Sequence, residues 1–218
     1  MKILNNNIQI LLGLFFAATS FLANACENQD KKNCIVFVGN SITQHGSWGM
    51  AASSKDKDFS SQLLKRLSEK YNTTVWEPYI RNIYTLEKDP LNFKLDSQLQ
   101  VFARNADFVI VELGDNFDSK TASISDFSKS YLNLLASLQP TRGILACVST
   151  WWSSPEKDGI IRENCKEVGG IFVDISDLGK HPENIAKNER DIKDPGVGIH
   201  PGDKGMKAIA DRIYEALN

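Results

Sequence analysis

The spacing of apolar positions along this 218-residue chain switches between two periods, and the switches mark its elements. Ile35-Val36-Phe37-Val38 and Phe108-Val109-Ile110-Val111 are unbroken apolar runs rich in β-branched and aromatic residues. Such runs belong to strands covered on both faces, which places these two near the centre of a sheet. Strands are predicted at residues 34–38, 73–80, 107–113, 143–148 and 170–173. Between them the period lengthens to that of a helix. Phe59, Leu63, Leu64 and Leu67 line one face of 58–71, and Phe127, Tyr131, Leu134, Leu135 and Leu138 line one face of 125–138. A third helix is predicted at 155–168, opening on Pro155 and stopped by Gly169-Gly170, and a last one at 202–217. Alternating strands and helices predict an α/β fold: a single three-layer α/β/α domain, flavodoxin-like, with about five mostly parallel strands flanked by helices. In such folds reactive groups gather on the loops beyond the carboxyl ends of the strands.

Composition changes the picture little. A chain of this length, 42% hydrophobic, forms one sizeable core without a second domain. A formal charge of −2 leaves no basic excess for nucleic acid or for an anionic membrane surface. The N-terminus stands apart: Lys2, an apolar stretch over 8–22, then Ala23-Asn24-Ala25. This is the pattern of a secretory signal with a small-residue cleavage site, so residues 1–25 are expected to be removed and 26–218 to form the exported domain. The apolar stretch falls short of the roughly 20 residues a spanning helix needs, so no stable membrane insertion is expected after cleavage. In an oxidising compartment, periplasmic or extracellular, four cysteines are expected to pair. Proximity favours 26–34 and 147–165 among three connectivities. No C-x-x-C pair occurs and the histidines are scattered, which disfavours a metal site.

Three turns carry candidate chemistry. Gly39-Asn40-Ser41-Ile42-Thr43 ends the first strand and lifts a serine hydroxyl at the sheet edge; Ser41 as a helix N-cap is the bland alternative. Gly114-Asp115-Asn116 follows the third strand and offers an amide side chain, although asparagine after a strand is also an ordinary turn residue. Gly198-Ile199-His200-Pro201-Gly202 opens into the last helix, and its proline and glycines suit an imidazole held within reach of a hydroxyl. His45 and His181 read as structural or solvated.

In this order the three turns resemble the blocks of the SGNH (GDSL-like) hydrolases over roughly residues 35–217. The resemblance implies a serine esterase with Ser41 as nucleophile, His200 as base, and an oxyanion hole formed by the Ser41 N–H and Asn116. It implies acyl-enzyme chemistry without a metal or organic cofactor. Two positions depart from the family pattern besides Asn40, which replaces the usual Asp. Val197 stands where the catalytic acid is usual, three residues before His200. Either Asp194 reaches the imidazole through the Pro195–Gly198 loop, or a Ser-His dyad is oriented by a backbone carbonyl. The second-block glycine is also missing, since no glycine occurs from Tyr79 to Pro90, and Asn82 is the candidate near that place. Asp203 reads as a cap for the last helix.

Trp48, Met50, Trp151 and Trp152 fall on loops of the active edge, either capping the core or forming a platform for substrate. The expected substrate is a small acyl ester, acetyl on a carbohydrate foremost. The alternatives are an O-acyltransferase of the same fold and an inactive glycan-binding relative. A flavodoxin-like cofactor binder is disfavoured, because the turn after the first strand offers a single glycine, Gly39, before Gly46 and so no phosphate-cradling glycine-rich loop.

Overall fold

The computed structural model describes residues 33–43, 49–72 and 76–218. The predicted signal, Cys26, His45, Trp48 and the start of the predicted second strand lie outside the described residues. Five parallel strands, β1 (Cys34–Gly39), β2 (Glu77–Asn82), β3 (Phe108–Glu112), β4 (Ile144–Val148) and β5 (Ile171–Val173), are ordered β2-β1-β3-β4-β5. The eight helices among the described residues are α1 (Phe59–Tyr71), α2 (Thr85–Lys88), α3 (Ser97–Asn105), α4 (Ile124–Leu138), α5 (Pro155–Glu167), α6 (Ala186–Glu189), α7 (Pro195–Gly198) and α8 (Asp203–Ala216).

The continuous apolar runs are central strands, as their composition requires. Within them the side chains alternate between faces. Cys34, Val36, Val38, Val109 and Val111 pack with residues of α3, α4 and α5. Ile35, Phe37, Phe108 and Ile110 pack with residues of α1 and α8 on the opposite face. The helix starts follow capping chemistry. Asp58 accepts from the Ser61 N–H at α1, Ser123 from Asp126 at α4 and Ser154 from Lys157 at α5. Cys147 on β4 and Cys165 on α5 form a disulfide, the pairing read from the sequence. Cys34 is also disulfide-bonded.

The differences from the sequence reading are local. β2 runs on to Asn82, two residues beyond the predicted end. Two helices absent from that reading, α2 and α3, fill the crossover from β2 to β3. α2 is a single turn, too short to show a period, and α3 is nine residues long and buries only Leu99, Phe102 and Ala103, leaving Val101 exposed.

The described residues contain no helix long and apolar enough to cross a membrane.

Candidate active site

β1, β3 and β4 deliver their carboxyl ends side by side, with Gly39 paired to Glu112 and Glu112 to Val148. The chain turns sharply after Gly39 because that residue has no side chain. A Cβ there would lie 2.0 Å from Thr43 Oγ1 and 2.6 Å from the Glu112 carbonyl oxygen. Asn40 is fully buried and its Oδ1 accepts the Ile42 N–H at 3.0 Å, which shapes the turn locally. Ser41 follows at the sheet edge.

His200 comes from the far end of the chain and meets it. Ser41 Oγ lies 3.0 Å from His200 Nε2 across 159 positions of sequence. The histidine backbone is fixed on both sides: Ala186 N–H donates to the His200 carbonyl, and Ile185 bridges Pro201. His200 Nδ1 lies 2.8 Å from the Gly196 carbonyl oxygen. A carbonyl only accepts, so Nδ1 carries the proton and Nε2 presents its lone pair to the serine hydroxyl. That tautomer is the one able to take a proton from Ser41. The Trp152 ring stands edge-on to the imidazole, 4.9 Å between centroids at 88°.

Asp194 is not on the imidazole. Its Oδ1 accepts the Gly196 and Val197 N–H groups at 2.7 and 3.2 Å, capping the single turn α7. The expected role of Asp194 as partner of His200 is therefore corrected in favour of the Gly196 carbonyl. The physical reason is spacing: an Asp followed by Pro is an efficient N-cap, and the turn it starts aims the carbonyl two residues later at the ring. Asp203 is also corrected. The cap of α8 comes from Glu189, which accepts from the Asp203 and Lys204 N–H groups, while the Asp203 carboxylate takes the Ser53 N–H and hydroxyl. Asn82 ends β2 opposite Gly39, where its Oδ1 accepts the Tyr84 N–H at 3.0 Å. Trp151 is core, 1% exposed, with its Nε1–H on the Ile199 carbonyl, so only Trp152 of that pair is partly open.

Asn116 sits in a loop bound on all sides. Its Nδ2 donates to Glu87 Oε2 at 3.0 Å and its backbone N–H to Glu87 Oε1 at 2.9 Å. Glu87 lies on α2, and burial raises its carboxyl above the usual range despite these donors, with the Asp115 charge adding to the rise. Behind it Glu112, wholly buried, is raised much further, first by burial and then by Asp115 and Glu87; Thr43 Oγ1 donates to it at 3.1 Å and opposes the shift. Tyr131, equally buried, is held far above its ordinary range, again by burial before the two glutamates. Neither glutamate was marked by the sequence reading. Glu112 lay inside a strand and Glu87 in a segment with no period, so only tertiary contact discloses their grouping.

Glu112 gives a stability prediction. Above its ordinary range the folded chain keeps a proton that the unfolded chain has released. Stability is then lost as pH rises towards the folded value, by about 1.4 kcal/mol per pH unit for each retained proton. Urea unfolding of the wild type is expected to show this decline as the pH rises above the ordinary glutamate range. Glu112→Gln, which mimics the neutral acid, is expected to make it shallower, and an unchanged slope would contradict a retained proton on Glu112.

With fold and geometry in place, comparison with known proteins is informative at the level of structure. No protein-family model and no curated protein sequence matches the chain. Solved structures do match. A lipase from a goat rumen metagenome superposes with a TM-score of 0.57 at 14% identity, over 84% of this chain and 96% of that one. A GDSL-like lipase from Bacteroides uniformis gives 0.56 at 16% identity, over 85% and 95%. The fold is that of the GDSL-like hydrolases. A two-domain esterase active on acetylated mannans gives 0.54 at 17% identity, over 84% of this chain. The match covers 48% of that esterase, so this chain spans about half of its length.

Proposed function

We propose that the protein is an exported serine esterase of the SGNH superfamily that hydrolyses small acyl esters, acetyl groups on carbohydrate foremost. The observation that carries this reading is the contact of Ser41 Oγ with His200 Nε2 at 3.0 Å, with Nδ1 committed to a backbone carbonyl. In the proposed reaction Ser41 Oγ attacks the ester carbonyl as its proton passes to Nε2. The collapsing tetrahedral intermediate expels the alcohol, which takes that proton, and leaves an acyl-enzyme. Water, deprotonated by the same imidazole, then releases the acid. The developing oxyanion is assigned to the Ser41 backbone N–H and the Asn116 side-chain amide, with Asn82 at the adjoining strand end as a further donor. His200, its Nδ1 held by the Gly196 carbonyl, supplies the base through Nε2.

The acetyl-carbohydrate assignment is supported by the Trp152 ring against His200 and by the similarity of fold to an esterase active on acetylated mannans. Export is supported by the N-terminal sequence and by the Cys147–Cys165 bridge, since disulfides persist in oxidising compartments. The mature chain is to be tested on p-nitrophenyl acetate and labelled with a fluorophosphonate, the modified peptide being located by mass spectrometry. Turnover with label on Ser41 is the expected result; neither turnover nor label would leave only the scaffold of an esterase.

A further inference from the structure

Beneath the proposed site lies a buried carboxylate that no step of the reaction uses. Glu87 is fully buried on the one-turn helix α2, and its four hydrogen-bond donors are all N–H groups. Oε1 accepts from Gly114 N at 2.6 Å, Asn116 N at 2.9 Å and Asn40 Nδ2 at 3.5 Å; Oε2 accepts from Asn116 Nδ2 at 3.0 Å. One side chain thus joins the turn that carries Ser41 to the loop that carries Asn116. The carbonyls of that loop are held from outside, Gly114 O by Lys157 Nζ at 2.7 Å and Asn116 O by Lys88 Nζ at 3.0 Å. Gly114 has φ +123°, a conformation that side chains rarely adopt, so the loop keeps this path through these bonds and its glycine.

A primary amide has two protons on one planar nitrogen. With one bound to Glu87 Oε2, the amide plane of Asn116 is fixed and the direction of the second proton is set. We propose that Glu87 is the positioning residue of this site, a carboxylate that fixes the Asn116 amide so that its remaining proton meets the oxyanion. The inference rests on the esterase reading above. Glu87 touches no reacting atom and acts through Asn116.

Glu87→Gln is the informative change. It keeps the volume but turns one acceptor oxygen into an NH2 that faces N–H donors. In assays with p-nitrophenyl acetate, Glu87→Gln is expected to lower kcat roughly tenfold or more with KM nearly unchanged, less than the 10²–10³ of losing a donor outright. Combined with Asn116→Ala it is expected to add nothing, because the group it positions is gone. Multiplying effects in the double variant, or a kcat unchanged in Glu87→Gln, would overturn the proposal. A second readout needs no turnover. In 15N-resolved NMR spectra the Asn116 side-chain protons and the Gly114 N–H of the wild type are expected to be displaced and protected from exchange, and to return towards free-amide positions in Glu87→Gln. Resonances that do not move would overturn it equally. If the wild type hydrolyses no ester, the esterase reading falls and the NMR comparison still decides whether Glu87 holds the amide.

Discussion

Ser41→Ala and His200→Ala are each expected to lower kcat on p-nitrophenyl acetate by about 10⁴ or more, and the double variant by no more than either alone. The two groups form a single unit, Oγ to Nε2 at 3.0 Å, and an oxygen without its base or a base without its oxygen contributes almost nothing. What remains would come from the oxyanion donors and from binding. The structure adds a sharper contrast. In a Ser-His-Asp triad, changing the acid to its amide costs about 10⁴ in kcat by imposing the wrong tautomer. Here Nδ1 faces the Gly196 carbonyl, which cannot change tautomer, and Asp194 serves the amides of Gly196 and Val197. Asp194→Asn keeps an oxygen for those amides, and is therefore expected to stay within roughly tenfold of the wild type. A fall of 10⁴ in that variant would restore Asp194 as the acid of a triad.

Asn116→Ala is expected to lower kcat by about 10²–10³ with a smaller effect on KM, since the interaction it removes is made mainly with the transition state. It carries a cost in stability as well. Glu87 Oε2 loses its partner at a buried position, and a buried acceptor left unsatisfied costs about 1–3 kcal/mol. Kinetics are therefore to be measured well below the variant's melting temperature. Asn116→Asp tests the same point from the other side, by setting a second carboxylate against Glu87 in place of a donor. It is expected to be less stable than Asn116→Ala at neutral pH and to recover as the pH falls and one of the two carboxyls takes a proton. Equal stabilities at all pH values would remove the charge argument.

The chain's own pattern specified the sheet and its two covering layers. Unbroken apolar runs such as Ile35–Val38 are stable only when both faces are covered, and the heptad-like spacing in α1 and α4 leaves one apolar stripe each to cover them. Ser41, Asn116 and His200 could be picked out as candidates because each sits at a strand end or a loop opening into a helix, and the structure brings the hydroxyl of Ser41 to the ring of His200. The sequence did not decide what orients His200, what fills the β2–β3 crossover, or which acids share the interior. α2 is one turn long and α3 only nine residues with three buried apolar positions, so each offers few turns to read. Glu87 meets Asn40, Gly114 and Asn116 at separations of 27 to 47 residues, and Gly196 reaches His200 with a carbonyl, a group every residue has. Periodicity and turn chemistry report the environment of a residue through its neighbours in sequence. A backbone acceptor and a buried carboxylate acquire their roles only from partners that folding brings to them, and those the tertiary structure alone decided.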